Sequence, residues 1–304
     1  MTKYLVTGGC GFVGSHLCDA LVKGGASITI LDNLATGKTA NLTAGARLIE
    51  GDVADPDTVA RAIHGADGVF HLAGIASVEY CNAHWREGHR TNLTGSVTVF
   101  EAAKNAGKVP VVYTSSAAVY GDAGDVIVHE DRTVAPLTAY GADKLGTELH
   151  ARIATSVHGV PTIGLRPFNI YGPRQDPSST YSGVISIFND RLRKQQPITI
   201  FGDGLQTRDF VLVTDVVQML MAAMQNSPQA AGRVFNVCTG RATSLLDLMA
   251  MLARLHRTEP EVTHSPPRAG DIRHSLGDPA RASAALGVQA LVSLETGLKL
   301  LLGV

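Results

Sequence analysis

The sequence lacks the long apolar runs and the charge clusters that mark membrane proteins and nucleic-acid-binding proteins. It contains no apolar stretch of about 18 residues, the length at which a membrane-spanning helix is expected, so we expect no membrane partner. Its 26 lysines and arginines nearly balance its 27 aspartates and glutamates, and no basic block stands out. We therefore expect no nucleic acid as a partner.

Cysteine is scarce, and its spacing disfavours two kinds of site. The four cysteines are Cys10, Cys18, Cys81 and Cys238. None are spaced as CxxC, which argues against zinc and against a disulfide framework and suits a reducing compartment. His71, His84 and His89 fit no common metal spacing either, so we expect no metal. The apolar start is too short for a signal peptide, and we expect a cytoplasmic location.

What the chain does have is apolar residues, at 45%, against 17% charged residues. A substantial core is expected, in one large domain or two unequal ones among the 304 residues. Short β-rich runs alternate with helical stretches through the first half. The predicted strands are Lys3–Thr7, Ser27–Leu31, Arg47–Ile49, Gly68–Leu72, Val109–Thr114 and Thr162–Leu165. The predicted helices are Phe12–Lys23, Asp57–His64, Asn92–Asn105 and Tyr140–Val157. This alternation predicts an α/β fold with a Rossmann-type, doubly wound parallel sheet.

After Arg166 the alternation gives way to prolines and irregular loops. Short strands are predicted at Ile198–Phe201 and Val234–Val237, and helices at Asp215–Gln225 and Leu245–Leu255. We expect a smaller C-terminal α/β substrate-binding domain over the carboxyl edge of the sheet. The predicted division gives 1–167 to the Rossmann domain, with roughly 205–228 returning to it, and 168–204 and 229–304 to the smaller domain.

A glycine-rich turn, Gly8–Gly14, follows the first strand and opens the first helix. Glycines permit a tight turn and let the backbone approach a pyrophosphate at the positive end of the helix. Asp32 ends the second strand, where a carboxylate binds a ribose 2′-hydroxyl and repels a 2′-phosphate. The pattern therefore predicts NAD rather than NADP. Asp52-Val53 and Leu72–Gly74 end the next strands, where they could border the cofactor.

Tyr140 and Lys144 lie four residues apart on a predicted helix, so they share one face. A phenol with an ordinary pKa of about 10 needs about 4 kcal/mol to fall to about 7 and act as a base. A unit charge about 4 Å away supplies roughly that much at an effective dielectric near 20. A more distant lysine would supply less and would need a second cation. A phenol tuned in this way could accept the proton of a sugar or alcohol hydroxyl.

With these residues placed, the chain resembles the extended short-chain dehydrogenases/reductases, in their nucleotide-sugar epimerase branch. The resemblance runs from the glycine turn through Thr114–Gly121 and the YxxxK of Tyr140 and Lys144 to Arg166–Gln175, Thr207–Phe210 and Arg268–Asp271. It implies an NAD site formed by Gly8, Gly11, Phe12, Val13, Gly14, Asp32, Asn33, Asp52, Val53, Leu72, Ala73, Gly74, Asn92, Tyr140, Lys144 and Pro167.

The resemblance also implies a catalytic trio. Ser116 would hydrogen-bond the sugar's 4-hydroxyl, and Tyr140 would take its proton. Lys144 would bind the nicotinamide ribose and, with the positive nicotinamide, lower the pKa of Tyr140. Hydride would pass from C4 to NAD and return to the other face of a rotated 4-keto sugar. The implied activity is that of an isomerase, an NAD-dependent UDP-sugar 4-epimerase.

The implied substrate is a UDP-hexose, and the implied contacts come mostly from the second half. They are Ser116, Asn169, Ser182, Val184, Ile200, Phe201, Arg208, Arg268, Asp271 and Ser275. Asn169, Arg208 and Arg268 would hold the diphosphate, since guanidinium groups bind phosphates bidentately. Ser275 would lie beside the C2 substituent, where a small side chain leaves room for an N-acetyl group. The helices Asn92–Asn105 and Tyr140–Val157 resemble the dimer surface of the family, so a homodimer is implied.

Several relatives share this frame, and two features separate them. Ala117–Val119 holds no acid, which disfavours the dehydratases and decarboxylases of the family. Asp176 lies where a basic residue would face a 6-carboxylated sugar, and like charges disfavour such a substrate. We therefore expect UDP-Glc/UDP-Gal, and also UDP-GlcNAc/UDP-GalNAc, as substrates. The alternatives are a reductase or dehydrogenase with net NAD(H) turnover, a uronate epimerase and a non-catalytic NAD sensor. The nucleotide base, the hexose and the pathway stay open.

Overall fold

The structure, a computed structural model, describes residues 1–176, 183–267 and 272–304. The strands β1 to β13 of this part are Lys3–Thr7, Ser27–Asp32, Arg47–Glu50, Gly68–His71, Val111–Thr114, Thr162–Pro167, Asn169–Tyr171, Ile198–Phe201, Thr207–Leu212, Arg233–Val237, Ala242–Ser244, Val262–Ser265 and His274–Ser275. The helices α1 to α12 are Phe12–Lys23, Pro56–Ile63, Val78–Ala83, Trp85–His89, Gly95–Asn105, Ala139–Ser156, Val184–Arg193, Val213–Gln225, Ser227–Ala230, Leu245–His256, Ala280–Leu286 and Leu294–Leu302.

The main sheet is parallel, with seven strands in the order β10-β6-β5-β4-β1-β2-β3. Thr7 at the end of β1 lies opposite Leu31 of β2 on one side and His71 of β4 on the other. Chain order reverses between β1 and β4, so the crevice beyond their carboxyl ends is where α/β sheets bind ligands. The predicted doubly wound parallel sheet is confirmed.

Helices cover both faces of this sheet, because its strands carry apolar residues on both. On one face, Val6, Ile30 and Phe70 pack with side chains of α1 and α8. On the other face, Leu5, Val69 and Val111 pack with side chains of α2, α5 and α6. Burial on both sides fixes the strands firmly and places the carboxyl ends of β1, β4 and β5 at one rigid edge.

Most element bounds lie within two residues of the predicted ones, and the differences have local causes. The predicted helix Asn92–Asn105 begins instead with a π-helical turn over Arg90–Thr94, after which α5 starts at Gly95. The strand predicted from Val109 begins at Val111, directly after Pro110, which has no N–H to give to a sheet. The strand predicted at Thr162–Leu165 continues to Pro167.

The second half builds smaller sheets. β11, β9 and β13 lie side by side, β7 pairs with β9, and β12 pairs with β8. A third apolar cluster, which includes Tyr171, Phe188, Phe210, Leu248 and Leu298, joins these sheets to α7, α10 and α12.

One strand corrects the predicted division of the chain. β10, which the prediction placed with the substrate domain in 229–304, pairs with β6 at the edge of the main sheet. The reason is burial, because Phe235 and Val237 belong to the same apolar cluster as α1 and α8. The rest of the division into two domains stays a prediction. In residues 1–176, 183–267 and 272–304, no helix has both the length and the hydropathy of a membrane span.

Candidate active site

The turn between β1 and α1 is packed so closely that a side chain at Gly8 or Gly14 would clash with the backbone. A Cβ on Gly14 would lie 2.1 Å from the carbonyl oxygen of Gly8. Gly8 has a φ of 72°, and a Cβ there would lie 2.8 Å from the backbone nitrogen of Ala73. Gly11 precedes α1 and gives the helix no side-chain cap, so the first N–H groups of Phe12 and Val13 stay available. This cradle fits the pyrophosphate of a dinucleotide.

Asp32 lies buried beside this turn, at the end of β2. One carboxylate oxygen accepts a hydrogen bond from the backbone N–H of Cys10 at 2.9 Å, and the other accepts one from that of Leu34 at 2.9 Å. A carboxylate has about four acceptor sites, so two remain for a ribose diol. The neighbouring Asn33 is exposed and accepts from the N–H of Ala35 in a local turn.

The ends of β3 and β4 border the same crevice. Asp52 forms an ion pair with Arg90, and the buried Val53 packs against Gly95. The N–H groups of Leu72 and Ala73 both donate to the hydroxyl of Thr7, at 3.2 Å each. These bonds hold the end of β4 against the glycine turn.

Asn92 lies in the π-helical turn, a feature that is frequent at functional sites. Its side chain accepts from the N–H of Ile75 at 2.7 Å and donates to the carbonyl oxygen of Ile75 at 3.1 Å. A Cβ on Gly74 would lie 3.0 Å from the Asn92 oxygen and 3.5 Å from Lys144 Nζ. Asn92 therefore holds the loop at Gly74 and Ile75 close to Lys144.

His71 is a buried part of the site whose partners the sequence did not predict. Its Nδ1 lies 2.8 Å from the Thr7 hydroxyl and its Nε2 lies 2.9 Å from that of Ser96. Burial, and then the positive charge of Lys144, lower the pKa of His71 to about 3. The imidazole is thus a neutral link that ties β1 and β4 to α5. A polar residue at the end of an otherwise apolar strand was the only signal for it.

Ser116, Tyr140 and Lys144 come together at the carboxyl end of β5. Ser116 caps the 3₁₀ turn Ala117–Tyr120 by accepting a hydrogen bond from the N–H of Ala118 at 3.1 Å, and its hydroxyl lies near enough to Tyr140 to act on the pKa of the phenol. Lys144 Nζ donates to the carbonyl oxygen of Thr114 at 2.9 Å and lies 5.8 Å from the centre of the Tyr140 ring. The three residues predicted to be catalytic thus share one corner beside Gly74.

The pKa of Tyr140 is raised, whereas the sequence argument requires it to fall toward about 7. Burial raises the pKa of Tyr140 to about 12, although the Ser116 hydrogen bond acts to lower it. Burial also lowers the pKa of Lys144 to about 8. The value of about 12 already holds with Lys144 Nζ 5.8 Å from the ring centre, and bringing the phenol from about 12 to about 7 requires about 7 kcal/mol more. Lys144 alone therefore does not make Tyr140 a base at neutral pH, and a second cation is required.

Several predicted substrate contacts lie at the ends of elements in the second half. Asn169 begins β7 and Val184 begins α7, and Pro167, a predicted cofactor contact, ends β6. Arg208 on β9 lies opposite Ser275 on β13, and its guanidinium donates to the carbonyl oxygen of Thr207 at 2.8 Å.

Three predicted substrate residues lie outside the described residues, and one lies in the core. The first three are Ser182, Arg268 and Asp271. Phe201 is half-buried, whereas the side chain of Ile200 is buried in the third apolar cluster, so only its backbone could meet a ligand. The reason is strand alternation, since neighbouring residues of β8 face opposite sides.

Asp176 has a partner that the sequence did not reveal. Its carboxylate lies 2.6 Å from Lys38 Nζ, and nearby Arg174 pairs with Asp19 at 2.6 Å. The negative charge of Asp176 is therefore offset, and the expected repulsion of a carboxylated sugar is weaker than the sequence argument assumed.

Comparison with known proteins decides the family. A sequence profile described as "NAD dependent epimerase/dehydratase family" matches residues 4–238. The chain belongs to this NAD-dependent epimerase/dehydratase family. A UDP-glucose 4-epimerase of Mycolicibacterium smegmatis is 36% identical over 303 residues, which span 97% of this chain and 96% of that protein.

Solved structures of this epimerase/dehydratase family are similar over nearly the whole chain. A UDP-glucose 4-epimerase from Thermotoga maritima, solved with UDP-glucose, has a TM-score of 0.96 at 36% identity and covers 99% of this chain and 98% of its own. A UDP-N-acetylglucosamine 4-epimerase from Methanobrevibacter ruminantium was solved with UDP-N-acetylmuramic acid. It has a TM-score of 0.94 at 31% identity, and the match covers 99% of this chain and 97% of that one. The cofactor of the family is NAD, and the glycine cradle and the carboxylate of Asp32 fit it.

Proposed function

We propose that this protein is an NAD-dependent 4-epimerase that interconverts UDP-glucose and UDP-galactose. The observation that carries the proposal is the meeting of Ser116, Tyr140 and Lys144 at the sheet edge that also holds the glycine cradle. A phenol and a serine hydroxyl side by side can hold one sugar hydroxyl and remove its proton. The names of the similar proteins support the same reading.

The chain's own residues divide the chemistry between them. Bound NAD⁺ supplies a hydride acceptor and the positive charge that Tyr140 needs besides Lys144. Ser116 orients the 4-hydroxyl of the sugar, and Tyr140 accepts its proton as C4 is oxidised to the 4-keto sugar. Lys144, held by the carbonyl oxygen of Thr114, binds the nicotinamide ribose. Tyr140 then returns the same proton to O4 when C4 is reduced from its other face, so no net oxidation results.

The turn after Ser116 restricts the reaction to C4. It consists of Ala117, Ala118, Val119 and Tyr120, so it brings no carboxylate to the substrate. Dehydration or decarboxylation would require a further acid or base there. The proposal therefore favours simple epimerisation over the other reactions of the family.

We also propose that N-acetylated UDP-hexoses are accepted. Ser275 is buried on β13, directly opposite Arg208. Where the proposed sugar lies beside it, its small side chain would leave room for the N-acetyl group. A 6-carboxylated sugar is the second candidate, because Lys38 offsets the charge of Asp176.

A panel of UDP-, GDP-, dTDP- and CDP-sugars, incubated with the purified protein and separated by chromatography, tests the proposal. We expect interconversion of UDP-glucose with UDP-galactose and of UDP-GlcNAc with UDP-GalNAc. If only a UDP-uronate or a sugar on another base is converted, the proposed substrate is wrong. If UDP-glucose is turned over and UDP-GlcNAc is untouched at high enzyme concentration, the role given to Ser275 is wrong.

Two further features of the molecule fit this function. Leu149, Ile153 and Val157 form an exposed apolar stripe along α6, at 48%, 46% and 66% exposure, and we propose that it joins two copies as a homodimer. The four cysteines are buried and free, which supports the proposed cytoplasmic location.

A further inference from the structure

Two buried charged side chains, Glu148 and Arg166, form an ion pair beneath the turn that carries Ser116. Arg166 Nη2 lies 2.6 Å from Glu148 Oε2, and Arg166 Nε donates to Glu148 Oε1 at 2.8 Å. The side chain of Glu148 is 8% exposed and that of Arg166 is 5% exposed. Desolvating two charges is costly, so such a pair is a poor source of net stability. Its place in the fold therefore points to a geometric role.

The pair holds the turn at both ends. Ser115, the residue before Ser116, donates its hydroxyl hydrogen to Glu148 Oε1. Tyr120, the last residue of the turn, accepts from Arg166 Nη1 at 2.8 Å, and the guanidinium lies over its ring. Ser116 is thus bracketed by two residues that are anchored to the same ion pair.

The same pair reaches the helix that carries the general base. Tyr140, Lys144 and Glu148 follow each other at four-residue intervals, so they share one face of α6. Lys144 holds the carbonyl oxygen of Thr114, and Glu148 holds the hydroxyl of Ser115. Two successive residues before Ser116 are therefore tied to two successive turns of the helix that presents Tyr140.

The network continues beyond the pair and makes it rigid. Tyr120 donates to the side-chain oxygen of Asn236 at 2.7 Å, and the backbone N–H of Asn236 donates to Glu130 at 2.8 Å. Glu130 lies 3.5 Å from Arg281 of α11. The ion pair is thus braced by β10 and by α11.

We infer that Glu148 is a positioning residue for the proposed reaction: with Arg166, it fixes the separation of Ser116 from Tyr140 so that both hydroxyls reach the 4-hydroxyl of one sugar. Ser115 transmits this constraint from helix to turn. The inference rests on the proposed function. Small displacements of reacting groups can cost about a hundredfold in rate, so loosening the tether should lower the rate more than the affinity.

Ser115→Ala tests the inference with the smallest change, because it cuts the link to the turn and leaves the ion pair intact. We expect kcat to fall about 10- to 100-fold with KM nearly unchanged. The apparent pKa of Tyr140, read from the pH profile and from ultraviolet titration of the phenol in the NAD-loaded protein, should rise, because the Ser116 hydrogen bond that lowers it is loosened. Ser115→Thr keeps a hydroxyl and should restore both readouts.

Thr162→Val is the matched control. Thr162 is buried and donates to the carbonyl oxygen of Ala151, so it also ties α6 to the sheet, but farther from Ser116. The Tm of this variant should fall as it does in Ser115→Ala. Its kcat and its phenol titration should stay those of the wild type. Glu148→Gln should lower kcat and raise the apparent pKa of Tyr140 in the same direction as Ser115→Ala, and by more.

The outcomes separate the inference from the proposed function. A wild-type protein that interconverts no nucleotide sugar contradicts the proposed function itself. An active wild type whose Ser115→Ala variant keeps kcat and the Tyr140 titration, while Tm falls as in Thr162→Val, overturns the positioning role. Equal losses of kcat in Ser115→Ala and Thr162→Val also overturn it, because the effect would then be general to α6.

Discussion

At the scale of single residues, the protonation state of Tyr140 decides what the site can do. Burial raises the pKa of Tyr140 to about 12, and the ammonium of Lys144 is directed at the carbonyl oxygen of Thr114. In the protein alone the phenol therefore keeps its proton at neutral pH. The base role proposed for Tyr140 therefore requires further positive charge next to the phenol, and the proposal takes that charge from oxidised NAD.

Replacing Tyr140 by Phe should abolish turnover and leave NAD binding intact. The substitution removes the hydroxyl that accepts the proton and keeps the ring that fills the space, and general bases contribute about 10²- to 10⁴-fold to rates. The measurements are kcat on UDP-glucose and the NAD content of the purified variant. Tyr4→Phe, far from the site at the amino end of β1, is the control and should keep full activity. Wild-type activity in Tyr140→Phe would exclude the phenol as the base.

At this scale the sequence predicts which residues meet better than how they interact. Four-residue spacing was enough to predict that Tyr140 and Lys144 share a face. It could not predict the long-range pairs, Glu148 with Arg166 or Asp176 with Lys38, because each joins two separate elements. The sign of the pKa shift at Tyr140 depends on burial, which only the packed structure gives.

At the scale of elements, the glycine turn and the π-helical turn build the two sides of the crevice. α1 runs from Phe12 to Lys23 as predicted, since glycines on both sides define its ends. The π-helical turn at Arg90–Thr94 was missed, because no residue type marks an inserted residue in a helix. This turn places the side chain of Asn92 where it accepts a hydrogen bond from the N–H of Ile75, and this bond holds the loop beside Lys144.

Gly14→Ala should weaken NAD binding. The added Cβ would lie 2.1 Å from the Gly8 carbonyl oxygen, so the turn would have to open and the cradle would widen. Strain of this kind costs about 1–3 kcal/mol, or about tenfold to a hundredfold in affinity. Titration calorimetry of NAD into cofactor-free protein measures the change. Gly24→Ala is the matched control at the other end of α1, where the Cβ meets ordinary contacts at 3.4 Å; equal affinities in the two variants would refute the steric account.

At the scale of the whole molecule, the second half does not simply rest on the first. β10 completes the main sheet, and its Asn236 joins the network under Ser116, so a strand from the second half braces the turn that carries Ser116. Strand alternation in the first half predicted the main sheet. The position of β10 in the main sheet was not predictable from the pattern, because the sequence of a short apolar strand does not indicate which sheet it joins.

The proposed dimer also belongs to this scale. Ile153→Glu places a charge in the middle of the exposed stripe on α6 and should convert the dimer to monomers, since a buried unpaired charge opposes association. Light scattering after size-exclusion chromatography gives the mass. Leu300→Glu, on the exposed side of α12, should leave the mass unchanged. A monomeric wild type, or a dimeric Ile153→Glu variant, would contradict the proposed interface.

The central claim is reversible oxidation at one carbon without net use of NAD. Its most direct test is to incubate the purified protein with UDP-glucose and follow both the sugars, by chromatography, and the NADH absorbance band. The account predicts that UDP-galactose accumulates to a constant ratio with UDP-glucose while the NADH band stays unchanged. An NADH signal that grows in step with the loss of UDP-glucose would contradict it and identify a dehydrogenase instead.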